Sequence, residues 1–130
     1  MRSVLTVLLG ATIAGCAGGS GAPDAAQSDA SHDVNGYAIA SCLTYQDNPY
    51  LKDQGDAWAS VIIQRTRGSV ESLTDVAEVV KQETDKGGMA VMRDEAGGDK
   101  ALPLLYCYEI IERPAVREAI DNAATALTSS

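Results

Sequence analysis

The chain has 130 residues, room for one domain, and 45% of them are hydrophobic, enough for a packed core. With no Phe, one Trp and five Tyr, that core must be built from Ala, Val, Ile and Leu. The formal net charge of −8 excludes a basic surface for nucleic acid and is repelled by anionic headgroups; it suits a basic protein partner, and it also keeps an exported domain in solution.

Arg2 supplies a positive start, and residues 4–13 (VLTVLLGATI) form an apolar run. The run is shorter than the roughly 20 residues needed to span a bilayer, so residues 1–15 read as a secretory signal. The run ends in Ile13-Ala14-Gly15-Cys16, which resembles the bacterial lipobox, where small residues precede a cysteine that is diacylated. Cys16 is therefore the expected lipidation site. Ala17, in place of Asp, resembles a sorting signal for the outer membrane. The expected location is the periplasm, with membrane contact only through this lipid. The competing reading is ordinary cleavage between Ala14 and Ala17, with Cys16 lost or left free. Residues 17–35 are small and polar without periodicity. They read as a flexible tether over 16–35, with a root-mean-square span of about 25 Å.

Three cysteines in an exported protein leave one odd thiol. With Cys16 carrying lipid, Cys42 and Cys107 can pair in the oxidising periplasm. They lie 65 positions apart, and closing that loop would stabilise the fold by at most about 4 kcal/mol on the chain-entropy view. The alternative is two buried free thiols.

Residues 36–130 read as one all-α domain, a compact bundle of about five helices stapled by that disulfide. Residues 37–45 form the first helix, with Ile39, Cys42 and Leu43 near one face. Asn48 can cap a second helix and Pro49 fits its first position. Leu51, Gly55, Trp58 and Ile62 recur at the helical period, so this stripe, Trp58 included, is expected in the core. Gly68 is a stop signal. Ser69 or Ser72 can cap a third helix, with Val70, Leu73, Ala77 and Val80 on one stripe, widened by Val76 and Val79. Gly87-Gly88 ends it. Residues 85–100 are Gly-rich and mixed in charge, a loop with Met89, Val91 and Met92 as an apolar island. Residues 90–92 are the one strand-like stretch, too short to decide. Pro103 opens a fourth helix, apolar nearly all round, which predicts a central position. Pro114 starts a fifth, with Val116, Ile120, Ala123 and Leu127 as its apolar stripe.

No catalytic constellation is visible, and no cofactor, metal site or enzymatic activity is expected. The one histidine, His32, falls in the tether. A structural zinc site wants four Cys or His ligands, which the domain does not offer. Asp53/Asp56 and Glu109/Glu112 are three apart, a spacing that could serve acid–base chemistry or a hard cation, and they read as solvated helix faces. What remains is a tethered periplasmic helical domain that works by binding.

Two blocks carry a family resemblance. The first is Cys42-Leu43-Thr44-Tyr45-Gln46-Asp47-Asn48-Pro49, running on to Ser60; the second spans residues 104–120 around Cys107. Together they resemble the type VI secretion amidase immunity proteins over about residues 41–120, best at the two ends. Glu112-Arg113-Pro114 stands where the family carries a His-Ser-type break, and the lipobox replaces its plainer signal peptide. The resemblance implies an all-α homodimer that neutralises a peptidoglycan-cleaving amidase effector by occluding its Cys/His active site with a protruding loop. The loop would lie within residues 85–99, with Met89, Met92, Arg93, Asp94 and Glu95 as contacts. The alternative is a small envelope lipoprotein with a structural or assembly role.

Overall fold

The computed structural model describes residues 22–129, as five helices and one short hairpin. In chain order these are α1 (Ala22–Thr44), α2 (Pro49–Arg65), α3 (Glu71–Asp85), β1 (Val91–Arg93), β2 (Asp99–Ala101), α4 (Pro103–Ile110) and α5 (Pro114–Thr128). The expected signal peptide and Cys16 lie outside the described residues. No helix among the described residues is long and apolar enough to cross a membrane.

Local chemistry explains most helix boundaries. Asn48 sits in extended backbone, and its Oδ1 accepts from the Tyr50 and Leu51 amides at 2.9 and 3.3 Å. Pro49 takes the first helical position, where a missing N–H costs nothing. Pro103 and Pro114 open α4 and α5 in the same way. Gly87 and Gly88 follow α3 with φ of 77° and 93°, a region L side chains avoid, and this turn ends the helix.

The first helix corrects the sequence reading. It begins at Ala22, not at residue 37, so residues 22–35 are helix rather than flexible tether. Val34 is fully buried. Two polar contacts pin the early turns to distant segments: Asp33 pairs with Arg65, and Asn35 accepts from Arg117 at 3.1 Å. Apolar residues are sparse in this stretch and small, which makes its composition look like a linker.

α1 is the central element. It packs against α2, α3, α4 and α5, while α3 and α5 close the far side. The α1–α2 crossing is tight because of Gly55: a Cβ there would lie 2.6 Å from the Ala40 carbonyl oxygen and 2.9 Å from Leu43 Cβ. The core is aliphatic, as expected without Phe; Ile62, Leu73, Val76, Val80, Ile110, Val116 and Ile120 are all buried. Trp58 departs from expectation. It lies over Gly36 at the margin of the core and is 41% exposed. On α3 the buried stripe is Leu73, Val76 and Val80, with Val70 exposed at the helix start.

The predicted central position of the fourth helix does not hold either. α4 is only eight residues long and buries Tyr106, Cys107 and Ile110. Its other apolar residues face outward, with Leu104 61% and Tyr108 63% exposed. A two-turn helix docked on one side can bury one stripe only.

The expected disulfide is present. Cys42 and Cys107 are bonded, with Cα atoms 5.5 Å apart, and both are fully buried. The bridge ties α4 to the last turns of α1. Gln46 covers it: its Nε2 donates to the Cys42 carbonyl at 3.0 Å and lies 3.6 and 3.5 Å from the two sulfurs. Such a bridge belongs to an oxidising, extracytoplasmic compartment.

Candidate binding hairpin

Residues 85–100, expected as a loop, contain the antiparallel pair β1–β2. Val91 faces Ala101, Met92 faces Lys100 and Arg93 faces Asp99. The two ends of the ladder are closed by Leu102 N donating to Ala90 O at 2.8 Å and Asp94 N donating to Gly98 O at 2.9 Å. At the tip, Asp94 Oδ1 accepts from the Gly98 amide at 2.7 Å, a side-chain lock on the turn. Arg93 and Asp99 form an ion pair across the strands at 3.2 Å. Both partners are exposed, so the pair contributes little energy, but it agrees with the register.

The hairpin rises from a braced base. The last carbonyls of α3 lack the i+4 helical partners of those before them. Arg113 meets two of the carbonyls here, donating to Glu83 O at 2.6 Å and to Gly87 O at 2.9 Å. The Tyr106 hydroxyl donates to Gly87 O at 3.2 Å and Thr84 O at 3.4 Å. The Arg113 guanidinium also stacks 5.4 Å over the Tyr106 ring. Lys86 pairs with the Glu83 carboxylate, and Arg113 approaches it at 3.5 Å. The Lys86 hydrogen bond is the main reason the Glu83 carboxyl titrates below its usual range, against the opposing effect of desolvation.

Every residue from 91 to 101 is exposed. Side chains alternate across a strand, so Met92 and Lys100 share one face while Val91, Arg93, Asp99 and Ala101 share the other. Of the five residues singled out from sequence, Met92, Arg93, Asp94 and Glu95 therefore fall on the hairpin, though not on one face, and Met89 lies just before it. Met89 precedes β1 and is exposed, Met92 is 47% exposed, and Glu95 stands exposed at the tip. Arg93 lies opposite to Met92, and the Asp94 carboxylate is engaged in the turn.

Sequence reasoning missed the surface beside the hairpin. A groove of about 310 Å³ runs from Ala101 and Leu102 to Leu104, Leu105 and Leu51. It joins Ala101, at the end of β2, to Leu104 and Leu105 on the exposed side of α4. The signal was present as a helix apolar on every side, a pattern that fits either a central helix or one with an uncovered apolar surface.

The carboxylate pairs lie elsewhere. Asp53 and Asp56 are exposed on α2, Glu109 is exposed on α4, and Glu112 pairs with Arg117 at 2.7 Å. His32 is exposed on α1. Among the described residues no group of three or more His, Cys, Asp or Glu is placed to hold a metal ion. Comparison with protein-family models, with curated proteins and with solved structures found no match to this chain.

Proposed function

We propose that this chain is a periplasmic inhibitor that binds and occludes a peptidoglycan amidase toxin of a type VI secretion system, using the β1–β2 hairpin as its occluding element. The observation that supports the reading most directly is an exposed hairpin, turn-locked at Asp94 and braced at its base by Arg113 and Tyr106. Two strands about 4.8 Å apart make a wedge narrow enough for an active-site cleft. A preorganised wedge loses little conformational entropy on association, which is how inhibitor loops on rigid scaffolds bind tightly. The two blocks around Cys42 and Cys107 add the family resemblance, which also implies a homodimer. Lipid attachment at Cys16 would hold the inhibitor at the outer membrane.

Replacing residues 89–95 with a Gly/Ser linker tests the reading. Amidase affinity should fall at least about 100-fold, the equivalent of one or two hot-spot side chains. Unchanged inhibition by the variant would remove the hairpin from consideration. Absence of any peptidoglycan amidase among co-purifying proteins, together with capture of an envelope-assembly protein, would favour the structural role instead.

A further inference from the structure

We propose that the Cys42–Cys107 bridge is a redox latch on the hairpin. With the bridge closed, α4 and the hairpin are held in place; with two free thiols, residues 89–110 open locally while α1, α2, α3 and α5 stay packed.

Connectivity supplies the first argument. A single residue, Leu102, separates β2 from α4, so the hairpin is in effect an extension of α4. The second concerns how α4 is held. An eight-residue helix is too short to persist by itself. It docks chiefly on α1, with a smaller contact to α3, and buries three side chains. By contrast α1 packs on α2, α3 and α5, and α3 packs on α5, so these four helices close around one another without α4. The bridge enters α4 in its middle, at Cys107, and is the one covalent tie between α4 and α1.

The third argument is that both feet of the hairpin depend on α4. Its far foot is joined to α4 directly. Its near foot, at Gly87, is held in part by the Tyr106 hydroxyl, and Tyr106 is an α4 residue. Losing α4 from the core therefore frees one foot and weakens the other.

Closing the latch takes two protons and two electrons from the two thiols. A protein or small-molecule disulfide accepts both and leaves as two thiols, through a mixed-disulfide step. Cys42, Cys107 and Gln46 are buried, so exchange requires α4 to be open; once closed, the Gln46 amide covers the bridge. If the chain is the exported inhibitor proposed above, the hairpin becomes competent to bind only in an oxidising compartment.

Hydrogen exchange on the oxidised chain and on the Cys42→Ala/Cys107→Ala variant tests the latch without any partner. Amides in residues 91–110 should lose at least about tenfold more protection than residues 55–62, 73–80 and 116–124, whose loss reflects only the change in global stability. The same pattern should appear in the unsubstituted chain reduced in denaturant and refolded in excess dithiothreitol, with both thiols confirmed free, which separates loss of the bridge from loss of sulfur volume. Equal loss over all helices, or unchanged protection in 91–110 in either sample, overturns the latch. Because no arm uses an amidase, a failed latch leaves the proposed inhibitor function standing, and the reverse holds too.

Discussion

The α1–α2 crossing and the β1–β2 hairpin differ most in how close their neighbours are. At the crossing, backbone lies so near backbone that a single added Cβ on Gly55 would meet a carbonyl at 2.6 Å. Along the hairpin, every side chain from 91 to 101 is open to solvent. The first region holds the fold together and is closed to solvent; the second leaves most of its surface open and contributes little to the fold. On the proposed reading, stability and recognition are thus assigned to different residues, with α4 and its bridge joining them.

The strongest way to break this contrast is Ile62→Ala. Ile62 is fully buried on α2 against α1. Truncation should cost about 2–5 kcal/mol by denaturant unfolding, from lost burial plus a cavity. A cost within the range of a surface change would show that the crossing is not the stabilising region. Gly55→Ala is a sharper probe of the same contact. Alanine is the better helix former by about 1 kcal/mol, yet the clash with Ala40 should cost about 1–3 kcal/mol more than that gain. A raised melting temperature would mean that the two helices have room to separate.

A smaller effect is expected where the two regions meet. The Glu83 carboxyl at the hairpin base titrates below its ordinary value of 4.5. A carboxylate with a lowered folded pKa stabilises the fold in full above its unfolded value, and that contribution is lost as pH falls below 4.5 through the folded value. Glu83→Gln should therefore lose less stability than the unsubstituted chain between neutral pH and about pH 3. Identical acid limbs in the two chains would show that Glu83 does not couple the base to folding. The smallest effect belongs to Met92→Ser at the exposed end of the comparison. Unfolding free energy should change by no more than about 0.5 kcal/mol, while affinity for the amidase of the proposed function falls. A larger stability loss would mean that Met92 is covered in solution.

Much of the fold was legible because many helix boundaries are set locally. Asn48-Pro49, Gly87-Gly88, Pro103 and Pro114 act within one turn of themselves, and all four mark boundaries in the structure. The Cys42–Cys107 pairing was legible by counting thiols once Cys16 was set aside. The hairpin was only half legible. Its glycines and mixed charge announced an exposed segment, but three-residue strands carry too few alternations to be distinguished from a loop. The early turns of α1 were illegible because their helicity is supported by partners at Arg65 and Arg117, far along the chain.

By itself, the sequence determined where three of the five helices begin, which two cysteines could pair and that the core is aliphatic, since the Asn48 cap, prolines, thiol number and the absence of Phe need no tertiary context. Tertiary structure alone decided which apolar faces are covered. α1, with its sparse small residues, became the central helix because four others pack on it. α4, the most apolar of them, was left with Leu104 and Tyr108 in solvent because nothing among the described residues packs on its outer side. Burial depends on what stands opposite a side chain, and no residue carries that information about itself.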